Sequence, residues 1–339
     1  MSGRATASSF LLAIALAFAL PAAADKLKKK DTIASLEEET FEVRPGSVIV
    51  DSSDKARDNY RGFLDLVSDD PNLQAEAMRR LADLELEAGE AAQLAENAGA
   101  VEFESYDNAV GLFHALLDKY PDYERNDSVL YQLARAYEIA GETDDALRVL
   151  NDLVARYPDT PLIDEVQFRR GEMLFLRKQY NDAEIAYTHV VQSGDSSRFY
   201  EQSLYKLGWS QFKLAWHEDS LDPFFTLLQR KIGDIELQDG DDRLAALSRA
   251  DRELVEDTFR VLSIGFSYMG GAESITDFFA TNGAPEYAYV VYMNLGDLYL
   301  EKERYQDAAE TYEAFVAQDP NHRKAPLLQV EVIEAYKRG

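Results

Sequence analysis

Small residues return at a fixed interval among large apolar ones along most of this chain. Ala109, Ala146, Ala183 and Ser220 follow one another at three equal steps of 37 residues. Tyr131, Phe168 and Tyr205 keep the same phase, as do Leu153, Val190 and Leu227. Within each period apolar side chains recur three and four residues apart, the spacing that puts them on one face of an α-helix. Each period holds two such stretches around a turn. One example is Leu130, Leu133, Ala134 and Tyr137, then Gly141, then Ala146, Leu150 and Leu153. A lone helical hairpin cannot bury its own apolar face, so a repeat of this size predicts a stacked helical array in place of one closed core.

The pattern predicts an all-α array over residues 53–339. Its units fall at about 75–125, 127–160, 164–197, 201–234, 256–288 and 289–322, with a partial unit at 323–339. Ala56, Tyr60, Phe63, Leu64 and Val67 form an amphipathic stripe that Asp70-Pro71 ends. The first unit pairs helices expected at 74–88 and 105–119, with the polar stretch 89–104 as an insertion. A second, acidic insertion covers 235–249. The last stretch carries Leu328, Val330, Val332, Ile333 and Tyr336. Four of them, from Val330 on, form an apolar outer surface that favours continuation beyond Gly339 over a natural polar cap.

The best-patterned unit has Leu295-Gly296, Tyr299, Tyr305, Ala308, Tyr312, Phe315 and Pro320. Gly171 with Tyr187, and Gly208 with Phe224, repeat its phase, and Tyr120-Pro121-Asp122 and Tyr157-Pro158-Asp159-Thr160 close two units. These residues resemble the tetratricopeptide repeat (TPR), a helix-turn-helix of about 34 residues. The resemblance covers about 75–322, and its spacing and endings are similar to those of BamD- and CpoB-type envelope scaffolds of the bacterial periplasm. It implies a helical-hairpin solenoid coiled into a right-handed superhelix, preceded by a flexible N-terminal segment. It also implies a groove lined by the first helix of each unit. Carried onto this sequence, the groove residues are Tyr131, Arg135 and Glu138; Phe168, Glu172 and Phe175; Tyr205, Trp209 and Phe212; and Met293, Asp297 and Leu300. Aromatic anchors beside a few charges suit a protein or peptide partner. The carboxylate clamp known in this family is not supported, because Tyr131, Phe168 and Tyr205 stand where its lysine would be.

The N-terminus changes the picture of where such a scaffold works. Arg4, an apolar run from Phe10 to Leu20, and Pro21-Ala22-Ala23-Ala24-Asp25 have the three regions of a secretory signal peptide. Cleavage after Ala24 is expected, followed by a linker over 25–52 with one short extended segment at Ser47-Val48-Ile49-Val50. The chain has no cysteine, which removes thiol chemistry and the lipid-bearing residue of a bacterial lipoprotein. The expected address is the periplasm, without a lipid anchor or membrane insertion.

Charge and chemistry narrow the function further. With 35 Lys and Arg against 62 Asp and Glu the net charge is −27, a field that repels nucleic acid and anionic headgroups. The basic cluster Lys26 to Lys30 reads as a solvated tail. His114, His189, His217 and His322 lack metal-ligand spacing, and Asp239-Gly240-Asp241-Asp242 lacks the acid an EF-hand needs at Ile235. No catalytic, metal or cofactor-binding residues are assigned. The sequence points to a non-enzymatic periplasmic interaction scaffold in cell-envelope assembly or outer-membrane biogenesis. The alternatives are the N-terminal regulatory or targeting part of a larger envelope enzyme and, third, a glycan-binding protein.

Overall fold

The computed structural model describes residues 52–67, 70–94, 100–233, 244 and 247–339. The predicted signal peptide, residues 25–51 of the linker with their extended segment and basic cluster, and the Asp239–Asp242 loop lie outside the described residues. Among those described are fourteen α-helices. They are α1 (Ser52–Leu66), α2 (Pro71–Leu94), α3 (Ala100–Lys119), α4 (Asn126–Ile139), α5 (Thr143–Arg156), α6 (Ile163–Leu176) and α7 (Tyr180–Gln192). There follow α8 (Tyr200–Lys213), α9 (Leu221–Leu228), α10 (Arg249–Tyr268), α11 (Ala272–Asn282), α12 (Ala288–Glu301), α13 (Tyr305–Gln318) and α14 (Ala325–Arg338). None is long and apolar enough to cross a membrane. Most helices pack mainly on their sequence neighbours, the one-dimensional stacking of a TPR-type solenoid, while α10 packs more on α12, and α11 more on α13, than the two pack on each other.

The hairpins α2–α3, α4–α5, α6–α7, α8–α9, α10–α11 and α12–α13 form because each helix has an apolar stripe with no other place to go. On α5 that stripe is Ala146, Leu147, Val149, Leu150 and Leu153, all buried. Close approach within four of these hairpins depends on a glycine lying under a ring. A Cβ on Gly171 would stand 2.6 Å from the Tyr187 ring, one on Gly208 2.7 Å from Phe224, and one on Gly296 2.2 Å from Tyr312. Gly89 stands in the same relation to Tyr106, at 2.6 Å. This last pair corrects the expected insertion at 89–104. Helix α2 runs through Gly89 to Leu94 and α3 starts at Ala100, so most of the polar stretch lengthens two helices and the repeat keeps its crossing.

The turns inside hairpins share one closure. Backbone N–H groups of Glu142, Gln179, Trp216 and Arg304 donate to the carbonyls of Tyr137, Leu174, Gln211 and Tyr299, five residues back, at 2.8–2.9 Å. This closure places the preceding residue in the left-handed region: Gly141 at φ 80°, but Lys178 at 62°, Ala215 at 61° and Glu303 at 57°. Between hairpins the Tyr-Pro-Asp ending is tied by Asn126, fully buried, whose Nδ2 donates to the carbonyls of Tyr120 and Pro121 at 2.9 Å. The first helix is held electrostatically. Arg57 and Arg61 of α1 both pair with the buried carboxylate of Glu85 on α2, which leaves no uncompensated charge there.

Two stretches depart from the regular array. After α9 the chain passes through a π-helical turn, Gln229–Gly233, and α10 is twenty residues long with Ser248 as N-cap, its hydroxyl accepting from the N–H of Asp251 at 3.1 Å. Gly265 of α10 has no ring over it, so this hairpin lacks the crossing of its neighbours. At the other departure, α14 turns Val332 inward, 3% exposed, against the expectation that it faces out, while Leu327 joins Val330, Ile333 and Tyr336 on the exposed side. Spacing explains it: Ala325, Leu328, Val332 and Ala335 make the three- and four-residue stripe that packs on α13.

Candidate partner-binding surface

The expected groove residues all lie on the first helices α4, α6, α8 and α12, one turn apart on each. Neighbouring first helices are cross-linked along this face. Arg135 on α4 pairs with Glu90 on α2 at 2.5 Å, Arg169 on α6 with Glu138 on α4 at 3.1 Å, and Lys206 on α8 with Glu172 on α6 at 3.0 Å. Tyr205 on α8 donates its hydroxyl to Asp257 on α10. Burial and that hydrogen bond to a carboxylate push the Tyr205 phenol up to about 12. The charges of this surface are thus satisfied within the array, and they hold consecutive repeats in register.

Several expected residues are absorbed by packing. Tyr131 is buried at 8% exposure, with its hydroxyl on Glu165 and accepting from Arg169 Nε at 3.1 Å. Burial raises that phenol, and it also pushes Glu165 upward, but the hydrogen bonds from Tyr131 and Arg169 and the charge of Arg198 outweigh this and hold Glu165 below its ordinary value. Glu172 accepts from Tyr187 at 2.5 Å and Asp297 from Tyr312 at 2.7 Å, so each acid ties the ring that crosses its own hairpin. Burial, then the bonded carboxylate, raises both of those phenols. Phe168 stacks on Phe199 with centroids 4.8 Å apart, and Phe175 lies against Tyr180 with Lys206 Nζ 5.2 Å from its centroid. Met293 and Leu300 are partly buried against the C-terminal core, as are Tyr205, Trp209 and Phe212 on α8.

The structure brings together Tyr205, Trp209 and Phe212 and extends them. Tyr205 and Trp209 meet edge to face at 6.4 Å, and Trp209 and Phe212 at 5.5 Å. Phe212 then meets His217 at 5.2 Å and Tyr268 at 6.3 Å, and the last two lie 5.0 Å apart. A continuous five-ring track runs from the middle of α8 to the end of α10, ending on the exposed Tyr268, and the exposed Trp216 precedes His217 in sequence. Lys213 Nζ sits 5.1 Å and the Arg260 guanidinium 6.0 Å from the Trp209 centroid. The His217 imidazole is held below its ordinary value by burial, so it is a neutral ring of the track near pH 7. Sequence reasoning missed His217 and Tyr268. One lies in a turn and the other at the end of the one first helix outside the regular period, so neither carries a spacing signal.

The other histidines are structural. His114 Nε2 shares a hydrogen bond with the Tyr137 hydroxyl at 2.7 Å, and His322 Nδ1 accepts from the Lys324 N–H at 3.1 Å. His189 lies half-buried on α7. Among the described residues no group of His, Asp and Glu is arranged to hold a metal ion.

Comparison with known proteins follows the same geography. The tetratricopeptide-repeat profile matches residues 100–167 and, separately, 283–332. No curated protein sequence matches the chain. Among solved structures the chain is similar to MamA AMB-1, at 16% identity and TM-score 0.40, over 60% of this chain and 86% of that one. It is similar to a tetratricopeptide repeat protein from Parabacteroides merdae at 15% identity and TM-score 0.35, over 84% and 98%. A third similarity is to the C-terminal part of a repeat-containing protein from Cytophaga hutchinsonii, at 14% identity and TM-score 0.39, over 81% and 94%. The two profile matches fall on α3 to the start of α6 and on α12 to α14, and the glycine-under-ring crossing recurs between them at Gly171 and Gly208. The chain carries tetratricopeptide repeats, the architecture of a protein–protein interaction scaffold.

Proposed function

We propose that this protein is a non-enzymatic scaffold that is exported and works in the bacterial cell envelope, holding a protein or peptide partner on the face of its first helices. The observation that carries this reading is the aromatic track from Tyr205 through Trp209 and Phe212 to His217 and Tyr268. Partly exposed rings in series, ending on the exposed Tyr268, can bury area on a partner at low entropic cost. Most charged residues on this face are paired within the array, Arg260 with Asp257 among them, so they position the helices and leave recognition chiefly to the rings. The signal-like residues 1–24 and the absence of cysteine support export without a lipid anchor. The net charge of −27 supports a protein partner over nucleic acid or a bare anionic membrane. Assembly of the envelope or of the outer membrane is the process in keeping with that address.

Photocrosslinking in intact cells from a reactive residue at position 209, with cell fractionation, tests both halves. The expected result is a crosslinked envelope protein from the periplasmic fraction and loss of capture in a Tyr268→Ala variant crosslinked from the same position. A cytoplasmic protein, or no dependence on Tyr268, overturns the reading. Trp209→Ala checks the surface from the side of stability. Trp209 is only half-buried, so its loss is expected to cost well under the roughly 3–5 kcal/mol of a fully buried aromatic. A melting temperature far below the parent's places Trp209 in the core and removes the track as a binding surface.

A further inference from the structure

A second site lies on the other helices of the hairpins. The residue five places after the small crossing residue is Asn151 on α5, Thr188 on α7 and Glu313 on α13, but on α9 it is Phe225. An outward position that is polar in those three regular units carries a phenyl ring here. Phe225 stacks on Phe278 of α11 with centroids 4.6 Å apart and meets Phe279 at 5.5 Å. Both Phe225 and Phe278 remain partly exposed. They form the floor of a cavity of about 540 Å³, whose walls include Tyr200, Tyr287 and Pro285. Beside the cavity α9 gives way to a π-helical turn, and the α10–α11 hairpin lacks the glycine crossing of its neighbours.

The rim decides the ligand. The Arg230 guanidinium is already used: it pairs with Asp195 at 2.6 Å and Glu201 at 3.4 Å and covers the Tyr200 ring at 5.0 Å. Asp222 is exposed at the cavity edge and has no hydrogen-bond or ion-pair partner among the described residues. An aromatic floor beside a free carboxylate, on a protein of net charge −27, selects an apolar group flanked by positive charge. We propose that this cavity binds an extended cationic segment of a partner polypeptide, seating a bulky apolar side chain against Phe225 and Phe278 and a Lys or Arg beside Asp222. It shares no lining residue with the aromatic track of Tyr205, Trp209, Phe212, His217 and Tyr268.

Fluorescence anisotropy with the full chain and a labelled peptide of sequence Ala-Lys-Phe-Lys-Ala, capped at both ends, tests this. Expected are saturable binding, loss of binding when the peptide's Phe becomes Ala or its Lys residues become Glu, and weakening by salt. Phe225→Asn, which restores the residue type of Asn151, is expected to weaken binding by at least about tenfold, Asp222→Arg to abolish it, and Trp209→Ala to leave it unchanged. Asp222 is exposed, so its variant keeps the test valid if Phe225→Asn melts early. No binding of the cationic peptide, equal binding of the Glu peptide, or insensitivity to Asp222→Arg overturns the proposal. Loss in Trp209→Ala also overturns it, by placing the peptide on the track, whereas failure of the track reading leaves these outcomes untouched.

Discussion

Gly296→Ala tests the packing of the hairpins most sharply. A Cβ there would lie 2.2 Å from Cε1 and 2.4 Å from Cζ of Tyr312, against an optimum of roughly 3.5–4.0 Å for two carbons. Ring or helix must therefore move by more than about 1 Å. Tyr312 has no room to do so: it is fully buried, and its hydroxyl is tied to Asp297 at 2.7 Å. Overpacking of this kind costs about 1–3 kcal/mol, while exchanging glycine for alanine inside a helix returns about 1 kcal/mol. Gly111 on α3 separates the two effects, because it is exposed and nothing lies within 4 Å of the Cβ it would gain. Gly111→Ala keeps the helix gain without the clash, so the difference between the two variants isolates the steric cost. Urea unfolding followed by circular dichroism should place Gly111→Ala slightly above the parent and Gly296→Ala about 1–3 kcal/mol below Gly111→Ala. If the two variants agree to within about 0.5 kcal/mol, the scatter of ordinary surface changes, the crossing does not have the close contact argued here.

Three further outcomes are expected. Ala215→Gly should raise stability by about 0.5–1 kcal/mol, since the left-handed conformation at φ 61° costs a Cβ-bearing residue more than the entropy glycine adds to the unfolded chain; a lower melting temperature than the parent would count against the turn closure. Ala308, fully buried at its hairpin crossing, should lose about 1–3 kcal/mol on replacement by Leu, and an unchanged thermal melt would contradict the assigned register. Hydrogen bonding from Arg79 first, with Tyr123 and Arg80 adding and burial opposing, holds the Glu76 carboxyl down to about 2, from an ordinary 4.5. Because the folded state favours the ionised form, its stabilisation is present above about pH 4.5 and is lost as pH falls toward 2. Glu76→Gln should therefore flatten the acid limb of a pH-stability profile in that window, and an identical limb in parent and variant would refute the assignment.

Much of the array is legible without coordinates because repeat architecture is a local code. Gly171, Gly208 and Gly296 each precede a ring by sixteen residues, and a hairpin that packs on itself keeps such spacing whatever its neighbours do. The α2–α3 hairpin escaped this reading because Gly89 and Tyr106 are one residue further apart and the intervening residues are polar. The helicity of residues 90–94 and 100–105 comes from propagation of two already packed helices, a cooperative effect that a local pattern does not register. The surface was legible in part. Helical periodicity placed Tyr205, Trp209 and Phe212 on one face, but Tyr131 shares their phase and is buried, since Glu165 and Arg169 of the following hairpin close over it.

Local pattern along the chain carried the all-α repeat and the phase of most hairpins, because both follow from contacts between residues close in sequence. Tertiary structure alone decided what depends on one hairpin meeting the next. It joined His217 and Tyr268 to the track, closed Glu165 and Arg169 over Tyr131, and opened the cavity over Phe225 and Phe278. The physical reason is that spacing within a helix fixes a side chain's direction, whereas its exposure is set by the neighbour that arrives from elsewhere in the array.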